Sequence, residues 1–216
     1  KIQVQSDGGL IMAIISNATT IADAGAFSVD LGAMVHIKTI TASNAANASF
    51  HHGTSNVVLD STYPIYIFKF INVHPATNDT QFFFQGNAVG ASGENETITS
   101  TYFKAGQNEA GNYNVLGHTA SSDQQNGTAY QSIAENMGNE NDEWGSGELI
   151  LFNPSSTSFI KHFIVKHQHQ QHASQSYQTH VAGYFNTTAA IDQIVFAFGS
   201  GNIDQGTFKL YGIKDS

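Results

Sequence analysis

The chain has 216 residues, a formal net charge of −9, no cysteine and 12% charged residues, about half the usual ~25%. It contains no arginine, which argues against nucleic-acid binding because phosphate contacts need dense cationic side chains. The lack of cysteine excludes disulfides, thiolate zinc sites and cysteine nucleophiles, and no run approaches the ~20 apolar residues of a membrane helix, so we expect no membrane insertion.

Apolar residues recur with the period of β-strands. Near the C-terminus Phe208 and Leu210 alternate with Lys209 and Tyr211, which places the two sets on opposite faces of a pleated strand. Residues 65–73 are mostly apolar on both faces, as expected for a central strand covered on both sides. In chain order the pattern predicts strands at residues 10–15, 34–42, 65–73, 81–85, 98–103, 148–152, 159–165, 180–185, 194–198 and 207–212.

Turn-forming residues separate these runs, and helical signals are weak. No segment of twelve residues keeps a helical stripe free of glycine and asparagine, although residues 133–137 are compatible with one helical turn. Residues 107–147 are poorly patterned and are interpreted as surface loops with one or two short strands. Many strands with almost no helix predict an all-β fold, namely an antiparallel β-sandwich that is jelly-roll-like.

The chain shows no shift in composition that would mark a domain boundary. Residues 31–216 are therefore assigned to a single β-sandwich domain. Residues 1–30 are rich in alanine and glycine. We interpret them as an N-terminal arm or first strand that docks on a neighbouring subunit.

The densest acidic cluster is formed by Glu140, Asp142 and Glu143. Oxygen-rich loops can bind calcium, but the EF-hand spacing is absent, and a solvated acidic loop is the favoured interpretation. Trp144, the only tryptophan, follows this cluster directly. An exposed tryptophan can stack on a sugar ring, as in lectins, although tryptophan more often anchors a core or a subunit contact.

Four histidines, His167, His169, His172 and His180, follow the apolar run of residues 159–165. If that strand continues, His167 and His169 share a face, because strand residues two apart point the same way. Around a three-fold axis they would offer six nitrogens to one metal ion, which makes His167 and His169 the candidate metal ligands. The alternative is a polar extension whose histidines titrate in water. It is favoured because the neighbouring residues are glutamines.

Motifs for enzymatic or nucleotide chemistry are absent. The sequence has no G-x-S-x-G nucleophile elbow, and the triplet at residues 145–147 lacks both its spacing and its strand-to-helix context. It also has no P-loop and no dinucleotide fingerprint. We therefore expect neither enzyme activity nor a cofactor.

Several blocks of the sequence are typical, as a set, of one known family. They are residues 191–194, residues 200–214 with the ending GTFKLYGIK, residues 59–63 leading into 67–77, residues 147–157 and residues 182–186. Together they resemble a family of tailed-phage virion proteins that is abundant in marine phages, in which residues 147–157 would form the central hairpin. The resemblance extends over about residues 10–214.

This resemblance implies a non-enzymatic structural protein of the virion, on the capsid surface or in the tail and fibre apparatus. Its partners would be other capsid or tail subunits, and its exposed loops would contact host glycans during attachment. Because repeated subunits usually assemble with closed symmetry, we expect a homo-oligomer, with a trimer as the first guess.

Two other functions remain open at this point. One is a carbohydrate-binding, lectin-like β-sandwich module in which aromatic side chains line a groove. The other is a glycan hydrolase, which requires two carboxylates either ~5 Å or roughly 6.5–9.5 Å apart in one cleft.

Overall fold

The computed structural model describes residues 33–215 and, before them, three short strands at residues 14–16, 19–23 and 26–27. These strands are β1 (Ile14–Ser16), β2 (Thr19–Asp23) and β3 (Ala26–Phe27), which form an antiparallel sheet in a compact unit of their own. The rest of the predicted arm at residues 1–30 lies outside the described residues. So does most of the strand predicted at residues 10–15.

The second compact unit covers residues 35–215 and consists of β-strands joined by turns. In the described part of the chain the only helical element is a single 3-10 turn at Ala120–Ser122, and no helix there is long and apolar enough to cross a membrane. The predicted all-β fold is confirmed. The strands are β4 (Met34–Ala45), β5 (Ala48–His51), β6 (Ile65–Pro75), β7 (Thr80–Ala88), β8 (Ile98–Asn108), β9 (Asn114–His118), β10 (Gln125–Gly127), β11 (Gln131–Met137), β12 (Gly145–Phe152), β13 (Lys161–Gln171), β14 (Gln175–Phe185), β15 (Ile191–Phe198) and β16 (Ile203–Ile213).

Eight of these strands have the topology of a jelly roll. One set of four is hydrogen-bonded in the order β4-β16-β6-β12, and the other in the order β5-β15-β7-β11. Along the chain, successive members cross from one set to the other, except that β7 and β11 are neighbours in the same set. This arrangement is that of two interleaved Greek keys, so the sandwich is of the predicted jelly-roll type.

The first set continues into a larger sheet. Beyond β12, the strands β13, β14, β8 and β9 are added in that order, and β10 pairs with β8. We call this assembly the large sheet and the set β5-β15-β7-β11 the small sheet. The two are joined where Met137 of β11 pairs with Gln171 of β13, so the large sheet curls round toward the edge of the small one.

A layer of phenylalanine rings fills the space between the sheets. Phe196 of the small sheet lies with its ring centroid 5.4 Å from that of Phe70 and 5.6 Å from that of Phe208, both in the large sheet. Phe84 and Phe163 continue the layer at 5.0 Å. All five rings are buried, and aromatic pairs at these distances stabilise the core beyond the area that they bury.

The strand predictions hold best where one face is apolar. The runs predicted at residues 65–73, 98–103 and 207–212 lie within β6, β8 and β16. The helical turn considered at residues 133–137 is wrong, because those residues belong to β11, whose two faces are both almost fully buried and so show no alternation. The region of residues 107–147 contains more strand than predicted, since β9, β10 and β11 all fall within it.

Removal of the Phe196 ring tests the inter-sheet layer. Phe196→Ala leaves a cavity among five phenylalanine rings, so we expect the free energy of unfolding to fall by about 3–5 kcal/mol in denaturant titrations. Phe159→Ala is the control, because Phe159 is 69% exposed and its loss should change stability by less than about 0.5 kcal/mol. Equal effects of the two substitutions would contradict this description of the core.

Candidate functional site

His167 and His169, the predicted metal ligands, lie on β13 and share one face as the spacing predicts. That face is the interior of the sandwich, because Phe163 and Val165 precede them with the same parity and are buried. His167 is 2% exposed and His169 is 1% exposed. Neither side chain is therefore a titrating surface group, and neither is open to another subunit.

Two glycines on the neighbouring strand β12 make room for the imidazoles. Gly147 pairs with His167 and Gly145 pairs with His169. A Cβ on Gly145 would lie 2.6 Å from the ring of His167, so a larger residue there would displace it. The triplet at residues 145–147 thus serves packing, with small residues opposite large ones across the strand pair.

The ring of His167 lies in an aromatic environment without polar partners. It packs 5.6 Å from Phe70 and 5.8 Å from Phe82, measured between ring centroids. Neither ring nitrogen has a hydrogen-bond partner among the described residues. Burial, followed by the nearby His169, holds the pKa of His167 well below its ordinary value of 6.5, so the ring is neutral at physiological pH.

His169 is stacked between His167 and Tyr177, at 5.3 and 5.7 Å between centroids. Its Nε2 lies 3.0 Å from the carbonyl oxygen of Glu135, which accepts the hydrogen bond, while Nδ1 has no partner among the described residues. Burial lowers the pKa of His169 to about 4, and the bond to the Glu135 carbonyl opposes that shift in part.

This geometry does not fit the metal site predicted for His167 and His169. The two rings are nearly parallel, 22° apart, so their nitrogens do not converge on one point. In the described part of the chain, no three His, Cys, Asp or Glu side chains are placed to hold a metal ion together. Ligands from other copies at a symmetry axis cannot reach side chains that lie between the two sheets.

The other two histidines of the segment lie elsewhere. His172 is in the turn after β13, where its Nδ1 is 3.2 Å from a carboxylate oxygen of Asp79. His180 lies on β14 and points to the outer face of the large sheet, away from His167 and His169. Its ring stacks on that of Phe103 at 5.0 Å. The four histidines therefore do not form one cluster.

A buried polar cluster that the sequence did not reveal lies beside His169. Lys104 Nζ donates to Glu135 Oε2 at 2.6 Å, and the hydroxyl of Ser122 donates to the other carboxylate oxygen. Lys104 also lies over the ring of Tyr177, 5.4 Å from its centroid, and the hydroxyls of Tyr177 and Tyr113 are 2.5 Å apart. Both carboxylate oxygens of Glu135 accept hydrogen bonds within the protein. We therefore interpret this cluster as structural, since it connects β11 to β8 and β14.

The acidic loop at residues 140–143 is bonded internally. Glu143 is buried, and one of its carboxylate oxygens accepts the backbone N–H of Glu140 at 2.9 Å. Glu140 and Asp142 are exposed, as expected for a solvated loop. The buried carboxylates of the described residues, Glu135 and Glu143, thus each have a protein partner.

Trp144 follows this loop and is held in a fixed orientation. Its indole N–H donates to the carbonyl of Asn141 at 2.5 Å. Its ring lies 4.4 Å from that of His74, which is itself bonded to Asp204 at 3.2 Å and to the carbonyl of Glu140 at 3.1 Å. The indole is half-buried, so part of its surface remains accessible.

An open groove of about 390 Å³ lies beside Trp144 on the outer face of the large sheet, and we call it the Trp144 groove. Three strands contribute to it, and the polar side chains come from outward-facing positions or from the bulge at Asn72. The lining residues are Thr41, Ala42 and Ser43 of β4, Gln205, Gly206 and Thr207 of β16, Ile71 and Asn72 of β6, and Trp144. No lining residue carries a formal charge.

The same outer face carries a band of partly exposed apolar side chains. Tyr211, Ile67, Ile150 and Ile164 are aligned across β16, β6, β12 and β13 by the strand pairing, and Ile164 is 38% exposed. Ile65, Phe152 and Ile213 form the next row. We call these seven residues the outer apolar band. Residues 65–73 are thus covered on their inner face, as predicted, but their outer face stays partly exposed in the described residues.

A row of charged side chains runs beside this band. Lys209, Lys69, Glu148 and Lys166 are consecutive partners across the same four strands. Lys69 Nζ and Glu148 Oε2 form an ion pair at 2.9 Å. With three lysines and one glutamate, the row is positive in a chain whose net charge is −9.

Comparison of the chain with protein families, with curated proteins and with solved structures gives no match.

Substitution of His167 by phenylalanine tests the buried neutral histidine. The unfolded chain takes up a proton below pH 6.5 but the folded site does not, so wild-type stability should fall as the pH drops below that value. His167→Phe lacks this group. The unfolding free energy of both proteins would be measured in denaturant at several pH values. As the pH falls below 6.5, the variant should become more stable relative to the wild type by up to ~1.4 kcal/mol per pH unit.

His162→Phe is the matched control, because His162 lies on the same strand but is exposed. Its difference from the wild type should not widen on acidification. Any misfit of the larger ring at residue 167 would change the unfolding free energy by the same amount at every pH. A difference between His167→Phe and the wild type that does not vary with pH would therefore contradict the description of His167 as a buried neutral histidine.

Proposed function

We propose that this chain is a non-enzymatic structural protein of a bacteriophage virion, a capsid-surface or tail and fibre component. It assembles through protein–protein contacts and contributes to host-surface attachment. The sequence blocks that resemble tailed-phage virion proteins support the virion setting, and jelly rolls are a frequent architecture of capsid domains. The observation that carries the assembly role is the outer apolar band.

The band has the properties of a subunit contact. It consists of aliphatic and aromatic side chains aligned on four adjacent strands, which gives a continuous surface rather than scattered apolar residues. One of the seven side chains, Ile164, is exposed and the other six are partly exposed. Contiguous apolar surface on a protein exterior marks protein contacts. Polar side chains border the band, as the rim of an interface does.

The charges beside the band favour a second copy of the same chain as its occupant. Lys209, Lys69 and Lys166 present excess positive charge next to the apolar surface. A partner with excess acidic groups complements this row, and the chain has 17 acidic residues against eight basic ones. We therefore propose a homo-oligomer, in which a trimer remains the first guess.

A free carbohydrate-binding module is the second candidate function, and the Trp144 groove favours it. The two candidates differ in a measurable way. A free module would bind a sugar as a monomer, whereas a structural subunit would assemble whether or not sugar is present.

A charge placed in the outer apolar band should prevent assembly. Ile164→Lys puts an ammonium in the middle of the proposed contact, where it would be desolvated and would face apolar atoms. Sedimentation velocity should show an oligomer for the wild-type chain and a monomer for the variant, with at least about a hundredfold weaker association.

Val89→Lys is the control, because Val89 is 61% exposed and lies in the turn after β7, away from the band. It should leave the sedimentation profile unchanged. A monomeric wild type, or an oligomer that Ile164→Lys does not affect, would contradict the proposed contact.

The virion setting is tested on particles from the source of this sequence. Mass spectrometry of purified virions should detect the chain at a fixed ratio to the major capsid protein. In cryo-electron microscopy maps of the same virions, the jelly roll should fit density on the head, tail or fibres. Absence of the chain from intact particles would contradict the virion assignment while leaving the oligomer measurement unaffected.

A further inference from the structure

We infer that the Trp144 groove binds a neutral saccharide. This inference deepens the attachment role in the proposed function and depends on that function only for its biological setting. The groove lies at one end of the outer face of the large sheet, and none of its lining residues belongs to the outer apolar band. It can therefore be tested separately from assembly.

The polar groups of the lining match a hydroxylated, uncharged ligand. Thr41, Ser43 and Thr207 supply hydroxyls, and Asn72 and Gln205 supply side-chain amides. Hydroxyl and amide groups both donate and accept hydrogen bonds, as the hydroxyls of a sugar do. An anionic ligand is disfavoured because no lysine or histidine lines the groove.

These groups are available to a ligand. The side chains of Thr41, Ser43, Thr207 and Gln205 make no hydrogen bond to another described residue. Asn72 is fixed by its backbone N–H, which donates to the hydroxyl of Ser146 at 2.9 Å, while its side-chain NH₂ has no partner within the described ranges. A saccharide would therefore replace water at these groups without breaking bonds inside the protein.

Trp144 supplies an apolar wall that is already ordered. The indole is held by its bond to Asn141 and by its contact with the ring of His74. A pyranose ring has an apolar C–H face, and a fixed aromatic surface can pack against it without first losing conformational freedom. With Ile71, which is 40% exposed, the groove combines apolar surface with a few placed polar groups, which is the usual composition of ligand sites.

The size of the groove suits a short oligosaccharide. Its volume of about 390 Å³ lies in the range of small-molecule sites, ~300–1,000 Å³.

The tryptophan fluorescence of the protein reports on this groove, because Trp144 is its only tryptophan. The full chain would be titrated with maltotetraose, cellotetraose, chitotetraose and a galactotetraose, each to ~10 mM, with trigalacturonate as the acidic comparison. We expect a saturable change in Trp144 emission with at least one neutral sugar and none with trigalacturonate. Isothermal titration calorimetry would measure the same binding independently of the fluorophore.

Two substitutions locate the binding. Gln205→Ala removes an exposed amide but keeps the fluorophore, and Trp144→Leu removes the aromatic wall and is followed by calorimetry. Each should weaken binding about tenfold, corresponding to loss of one hydrogen bond or one aromatic contact. Phe103→Ala is the matched control, because Phe103 is an exposed aromatic residue on the same face of the large sheet, on β8. It should leave the affinity unchanged.

The outcomes separate this inference from the proposed function. No binding of any neutral sugar, or binding that neither groove substitution weakens, overturns the inference. A preference for trigalacturonate also overturns it. Sedimentation of Gln205→Ala should match that of the wild type. Loss of sugar binding with intact assembly would then identify the groove as the binding site. Failure of the wild type to assemble would count against the proposed function alone.

Discussion

The phenylalanine layer between the two sheets is the interaction on which the rest of the structure depends. Rings from β6 and β16 meet rings from β7 and β15, so neither sheet can bury its apolar face without the other. Because the inner positions are committed to this layer, the outward-facing positions of the same strands are left for function. The outer apolar band and the Trp144 groove both occupy such positions on the large sheet.

Strand parity made much of the fold predictable, but not the direction in which a polar residue points. The spacing of His167 and His169 correctly placed them on one face, and their polarity suggested solvent. However, they occupy the same alternate positions of the strand as Phe163 and Val165, which are apolar. That alternation predicts that the two histidines face the core, as the structure shows. The opposing Gly145 and Gly147 were a second signal, since small residues across a strand pair leave space for an inward ring.

Other features had no local signal at all. Lys104 and Glu135 are 31 residues apart and meet only because β8 and β14 curl over β11. The strand β11 showed no alternation because both of its faces are covered, which made it resemble part of a helix. The Trp144 groove combines β4, β6 and β16, and only the pairing order of the sheet brings these segments together. Periodicity identifies single strands, whereas long-range pairing creates the sites.

The position of β16 has a consequence for biosynthesis. This strand lies between β4 and β6, which precede it by more than 100 residues, so these two earlier strands have no neighbour on that side until β16 is made. At ~5–20 residues per second, a ribosome needs roughly 10–30 s to deliver it after β4 has emerged. During this interval β4 and β6 are nascent strands with open edges, prone to pair with other chains. A translation stop anywhere before Ile203 would release a polypeptide that can never complete its main sheet, and the cell must hold or degrade it.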